Sequence, residues 1–301
     1  MQSKAPSLVF IALCLIWGSE WMVIKVGLEF FPPFLFTGIV SAIAAIVLLV
    51  IVKLLDAEIP RELSCWSVML FLGIFQIVLP YGLVFWAEQY IPSGVAALLG
   101  ATNPIFVVLF AQMLVNEKLT RLKGLGVIAS FAGLITIFLK DIVSVQGLVA
   151  QISLLGSAGV VGFSASAALA NVVAKRYARE IHPATNALVQ AAIGTIVLSS
   201  VGLATERHPT LNLTMTAATI AIYLGAVAFA LSYFGLYWLL KKTTATNVSL
   251  VSFITPIVAL VMGWLVLHEV PDANLGLGAV LVLVGVYLTA EPAGRLSWHR
   301  P

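Results

Sequence analysis

Residues 98–133 read LLGATNPIFVVLFAQMLVNEKLTRLKGLGVIASFAG, and residues 250–285 read LVSFITPIVALVMGWLVLHEVPDANLGLGAVLVLVG. At an offset of 152, Pro104 falls on Pro256, Glu117 on Glu269, Gly124 on Gly276, Gly126 on Gly278 and Gly133 on Gly285. Working outward toward the N-terminus, the same offset pairs Gly73 with Gly225, Tyr81 with Tyr233 and Trp86 with Trp238. Before the third apolar stretch the offset is 150, pairing Lys25 with Lys175 and Pro33 with Pro183. Apolar chains match by accident at Leu, Val and Ala. Ordered matches at Pro, Trp, Tyr, Glu and Lys with one small indel indicate an internal duplication. The halves are expected to divide as 1–145 and 146–301.

Hydrophobic residues make up 61% of the 301 positions and charged residues 10%. A soluble domain carries roughly a quarter charged residues, and lipid absorbs an apolar excess that a soluble core cannot. With about 20 apolar residues per crossing, spans are expected near 7–27, 33–53, 66–87, 93–115, 122–140, 147–174, 184–204, 216–239, 246–267 and 274–290. The first is too long for a signal-peptide core, and no small-residue cleavage site follows it. With the N-terminus inside, thirteen of the sixteen Lys and Arg face the cytoplasm, so the positive-inside rule predicts both termini inside. The expected fold class is all-α and membrane-integral, with ten transmembrane helices. Five helices per copy is odd, so the second copy enters the bilayer from the opposite side. Inverted repeats of this kind mark alternating-access transporters with a site near the midplane. The alternative is an old duplication kept for packing alone.

Other classes find little support. There is no nucleotide-binding loop, CxxC or HExxH motif, and no basic run for nucleic acid. Cys14 and Cys65 offer neither a disulfide framework nor a metal site. The four histidines fall in loops or tails, which leaves a membrane-embedded enzyme the weakest reading. No cofactor or metal is expected. The expected partners are a small-molecule substrate and the lipid bilayer, with the protein a monomer or homodimer.

Trp17-Gly18-Ser19-Glu20 followed by Ile24-Lys25-Val26-Gly27 resembles the first-helix signature of the drug/metabolite transporter superfamily. The stretch from Ala101 through Asn103-Pro104 to Asn116-Glu117-Lys118-Leu119-Thr120, Gly124 and Gly133 resembles the second half of an EamA-type domain. Thr255-Pro256, His268-Glu269, Gly276 and Gly285 repeat it. The resemblance covers nearly the whole chain in two copies. It implies a bacterial inner-membrane exporter of small metabolites, similar to YddG-like exporters of aromatic and other amino acids. It also implies a central cavity formed by helices 1, 3, 4, 6, 8 and 9. A multidrug or organic-cation pump is the alternative within transport. Small multidrug-resistance relatives carry their acid about two turns before the helix-end lysine. Trp17 holds that position here, and Glu20 lies one turn later on the same face.

Glu20 is the leading candidate from the residues themselves. A charge near the centre of a transmembrane helix costs on the order of 3 kcal/mol on insertion scales. Such an acid normally faces a cavity or partner; the other reading is hydration near the outer interface beside Lys25. Pro80, Pro104 and Pro256 are expected inside helices, each freeing the carbonyl four residues back: Gln76, Gly100 and Ser252. In lipid those carbonyls need protein or a wet cavity. Asn103 and Thr255 precede two of these prolines, and a freed carbonyl beside an amide or hydroxyl suits an amino or carboxyl group. A plain kink is the other reading. Trp17, Tyr81, Phe163 and Tyr233 offer faces to apolar groups or cations, whereas Trp86 and Trp238 suit an interfacial belt. Gln76, Ser164 and Ser166 add hydrogen-bonding capacity, although serines also pack helices closely. Lys25 and Lys175 fit either snorkelling and orientation or a gating role. Gly126 and Gly133 in helix 5, with Gly278 and Gly285 in helix 10, predict a close helix contact away from substrate.

Overall fold

The computed structural model describes residues 5–115, 121–144, 148–206, 212–243, 248, 251–268 and 273–289. Helix α1 is Ala5–Gly27 and α2 is Pro33–Leu54. Helix α3 spans Leu63–Ala87 and α4 comprises Ser93–Gly100 and Asn103–Val115. Helices α5, α6 and α7 are Arg121–Ser144, Leu148–Tyr177 and Pro183–Thr205. Helix α8 spans Met215–Lys242, followed by α9, Val251–Leu267, and α10, Ala273–Thr289. Seven of these are long and apolar enough to cross a bilayer, and α5, α9 and α10 contain shorter apolar stretches. Glu117 and Glu269, matched by the repeat, lie outside the described residues.

Large apolar side chains point outward all round the bundle, including Leu8, Ile46, Leu70, Leu155, Ile196, Leu203 and Val280. In water such coverage would be an aggregation surface; in lipid it is the required exterior.

Duplication is visible in local structure. Helices α2 and α7 both begin with proline at the first helical position, where the missing N–H has no intrahelical acceptor to lose. The N-terminus of α2 is closed by Glu206, whose two carboxylate oxygens accept from Phe34 N at 2.6 Å and Leu35 N at 2.9 Å. At the start of α7, His182 Nδ1 accepts from Ala184 N at 3.3 Å. Burial, and then the charge of Lys241, hold that imidazole below its usual pKa, which keeps the ring neutral and Nδ1 an acceptor.

Helices α3 and α8 each widen into a π-helical turn, at Gly73–Val78 and Tyr223–Leu231. These turns occupy overlapping positions in the two copies. Gly73 lets Ile193 of α7 approach to where a Cβ would sit 2.5 Å away, and Gly225 does the same for Ile43 of α2 at 2.6 Å. Ile43 and Ile193 are themselves related by the offset of 150.

The most extensive helix pairs are α5 with α10 and α2 with α7. In the first pair, a Cβ on Gly133 would lie 2.7 Å from Val282 N, and one on Gly285 would lie 2.5 Å from Gly126 O. Ser130 Oγ donates to Val282 O across the same seam at 3.3 Å. This is the contact predicted from the glycine spacing. The halves also interleave: α1 packs on α8 and α9, while α6 packs on α3 and α4. That exchange places a cavity between the copies.

Two sequence expectations change. Pro104 does not interrupt a helix. The fourth span breaks at Ala101–Thr102, and Pro104 sits in the first turn of the segment that restarts at Asn103. Lys175 was expected in the loop after span 6, but the helix continues to Tyr177. Basic residues in a last turn favour the negative helix end, which stabilises the extension.

Candidate functional site: a cavity between the two halves

The central cavity encloses about 90 Å³. One water needs about 10–15 Å³ on that measure, so the space has room for about six to nine waters. Helix α1 contributes Trp17, Glu20, Trp21 and Ile24, and α3 contributes Gln76, Tyr81 and Val84. Gly100 and Asn103 come from the break in α4, and Phe163, Ala167 and Asn171 from α6. Tyr233 of α8 with Ser252 and Thr255 of α9 completes the lining. Nine of the ten residues predicted to bind substrate are therefore brought to one space. Ser166 is the tenth; it donates to Phe75 O at 2.7 Å and fastens α6 to the π-turn of α3.

The α4 break is stitched to α6. Ser164 Oγ donates to Gly100 O at 3.1 Å, and Asn103 Nδ2 donates to Ser164 O at 3.0 Å. Thr102 Oγ1 donates to Leu99 O at 2.7 Å. Side chains thus satisfy the broken ladder, as irregular backbone at membrane depth requires. Gly100 also leaves room for Trp21: a Cβ there would sit 2.8 Å from the indole. Trp21 meets Phe163 edge-on, with centroids 5.6 Å apart.

The other wall is aromatic and hydroxylated. Trp17 Nε1 donates to Ser232 Oγ at 3.0 Å, and its ring lies 6.0 Å from that of Tyr233. Tyr81 and Tyr233, equivalent in the two copies, have centroids 6.1 Å apart. Pro80 is the second residue of the α-helical segment Leu79–Ala87 that follows the π-turn, and Pro256 lies within α9.

Among the described lining residues Glu20 provides the one carboxylate, and none is a lysine, arginine or histidine. Gln76 Oε1 and Asn171 Oδ1 are buried without a hydrogen-bond partner among the described residues. Two buried amide oxygens of the lining thus lack a donor among the described residues, and the Glu20 carboxylate shares the same space. Unsatisfied buried acceptors cost on the order of 1–3 kcal/mol each, so an incoming donor is favoured here.

Lys25 and Lys175 lie apart from the cavity lining. Lys25 Nζ donates to Glu88 O and, at 2.9 Å, to Ile91 O, capping the end of α3. Lys175 Nζ donates to Leu240 O at 2.6 Å and Thr243 O at 2.5 Å, at the end of α8. The acceptors are related by the same offset of 152. Each half thus closes its third helix with the lysine of its first, a favourable use of positive charge at a helix C-terminus.

A family model described as the EamA-like transporter family matches residues 5–139 and again 154–290. The chain belongs to the EamA-like transporter family. As a family member it is a multi-pass membrane transporter of the drug/metabolite superfamily. It is similar to the uncharacterized transporter YoaV of Bacillus subtilis, 28% identical over 291 residues, covering 95% of this chain and 96% of that one. The uncharacterized inner membrane transporter YedA of Escherichia coli is 26% identical over 293 residues, covering 92% of this EamA-like chain and 90% of its own. A solved crystal structure superposes with a TM-score of 0.68 at 17% identity, covering 95% of this chain and 96% of that one, which shows a shared fold.

Sequence reasoning missed Trp21, Ile24, Val84, Ala167 and Asn171 as lining residues, and named Gly100 only for its freed carbonyl. The repeat held a signal for Trp21, Ala167 and Asn171, and for Gly100. It pairs Trp17 with Ala167, Trp21 with Asn171, and Gly100 with Ser252, and each pair meets at the cavity.

Proposed function

We propose that this EamA-like protein exports amino acids and similar small amphiphiles from the cytoplasm across the bacterial inner membrane by alternating access. The observation that carries this reading is an interhalf cavity whose described lining residues include one carboxylate, no basic side chain and two unpartnered amide oxygens. A substrate ammonium satisfies Glu20, Gln76 and Asn171 together. Hydroxyls of Tyr81, Tyr233, Ser252 and Thr255 supply donors for the carboxylate end. The aromatic wall accepts an apolar side chain, and neutral amino acids fit it best. Rocking of the halves about this midplane site exposes it to each face in turn. The location reading is supported by the name of the inner membrane relative YedA.

An organic cation is the second reading, because the same lining offers nothing basic to a carboxylate. Counterflow in liposomes separates the two. Preloaded neutral amino acids are expected to drive accumulation of labelled neutral amino acid well above empty liposomes. Counterflow confined to quaternary amines would transfer the assignment to cation efflux. No counterflow for any of the twenty amino acids would end the amino-acid reading.

A further inference from the structure

The repeat that aligns the halves also aligns what lies on either side of the cavity, and there the chemistry differs. One turn past Tyr81 on α3 stands Phe85, and one turn past Tyr233 on α8 stands its counterpart, Tyr237. On α2, Phe36 meets Phe85 and Val40 stands one turn further along; their counterparts on α7 are Asn186 and Gln190. Each pair of helices ends at one of the capping lysines.

Toward Lys25 these positions are apolar. Phe31 stacks on Phe36 with centroids 4.9 Å apart, and Phe36 meets Phe85 at 5.1 Å. Phe36 and Phe85 are fully buried. Toward Lys175, on the Lys- and Arg-rich face, the same positions form a polar chain. Tyr237 Oη donates to Gln190 Oε1 at 2.7 Å, and Gln190 Nε2 donates to Asn186 Oδ1 at 3.0 Å. All three side chains are buried. Asn186 and Tyr237 also line a second, smaller cavity of about 20 Å³ with Lys175, Arg179 and Lys241, room for one or two waters. The polar chain thus borders that basic cavity, and Tyr237 stands one turn from Tyr233 of the central lining, with ring centroids 6.3 Å apart.

We propose that Tyr237, Gln190 and Asn186 form a second substrate-contacting station, which takes the hydrogen-bonding end of an amphiphile moving between the Lys- and Arg-rich face and the central cavity. The inference rests on the central cavity being the transport site. A carboxylate or amide passing here exchanges one hydrogen bond for another, because the residues carry N–H donors beyond those used in the chain. The three phenylalanines offer no such exchange, and a polar group there loses its water without compensation. The station makes the basic face the wettable side and leaves the opposite side to open only when the halves move apart.

The two halves supply the test. Ala167→Cys, in a Cys65→Ser background, reports access to the cavity, while Cys14 stays buried. The probe is a membrane-impermeant, anionic sulfonatoethyl methanethiosulfonate applied to inside-out and right-side-out vesicles. Gln190→Val with Tyr237→Phe copies Val40 and Phe85 into the polar threshold. It is expected to slow labelling from the Lys- and Arg-rich face about tenfold. The reciprocal pair, Val40→Gln with Phe85→Tyr, is expected to speed labelling from the opposite face, which keeps the test alive if the first pair does not fold. Labelling within twofold of the parent in both pairs overturns the proposal. So does faster labelling in the first pair, which would make the chain a lock. Absence of amino-acid counterflow in the parent would instead count against the transport reading; the labelling result judges the threshold independently of it.

Discussion

Glu20→Gln is expected to abolish most transport of ammonium-bearing substrates while leaving the protein as stable as before, or more so. The substitution keeps the shape of the side chain and removes only its charge. A hydrogen bond to a charged group contributes about 1.5–3 kcal/mol, and each 1.4 kcal/mol is tenfold in affinity. The half-saturation concentration in counterflow should therefore rise by about ten- to a hundredfold. Relief of a charge held at membrane depth acts the other way on folding, by up to about 3 kcal/mol on insertion scales. The two effects have opposite signs, which separates a binding role from a structural one. Both follow from the lining: Glu20 is its one acid, and no base among the described lining residues compensates it. Unchanged transport with lower thermal stability would make Glu20 a structural group.

Gly285→Ala is expected to cause a large loss of folding stability, among the largest for a methyl added at any of the described glycines. The new carbon would lie 2.1 Å from Ser130 Oγ, 2.5 Å from Gly126 O and 2.5 Å from Ser130 N. Two of those atoms are backbone and cannot rotate aside, so α10 must move off α5. Overpacking costs about 1–3 kcal/mol when side chains give way, and the cost here belongs at or above the upper end. Gly276→Ala on the same helix meets nothing within 4 Å. It should be neutral or stabilising by up to about 1 kcal/mol, the helix-propensity gain over glycine. Thermal unfolding in detergent compares the two directly. Neither helix lines the cavity, so folded Gly285→Ala protein should retain its substrate affinity. Equal melting temperatures for the two variants would contradict the packing described for this seam.

Much of the architecture was legible because duplication converts single residues into pairs. Gly133 alone is a glycine in an apolar helix; with Gly126, Gly278 and Gly285 it specified a helix contact and both its partners. Glu20 was legible because its cost in lipid demands an explanation. Pro104 was misread for a definite reason. A proline within an apolar stretch looks the same whether it kinks a helix or opens a new one. The choice was made by Thr102, Asn103 and Ser164, whose side chains satisfy a complete break. Ser166 shows the converse: a midspan hydroxyl reads equally as a ligand or a fastener, and the acceptor that decides it is the carbonyl of Phe75, 91 residues away. The chain from Tyr237 through Gln190 to Asn186 was illegible for the same reason. It joins α8 to α7, and rotation of one helix against another leaves no periodic trace in either. What the offset did contain, and what a symmetric reading extracts, is the pairing of Trp21 with Asn171 and of Phe85 with Tyr237.

The central claim is that substrate binds between the interleaved halves with its ammonium at Glu20. A structure of the purified protein with its best counterflow substrate bound tests that claim most directly. The account predicts the solute in the interhalf cavity, its amino nitrogen at about 3 Å from the Glu20 carboxylate and its side chain against Trp17, Tyr81 and Tyr233. A solute bound elsewhere, or one in the cavity with its carboxylate rather than its ammonium toward Glu20, would contradict it.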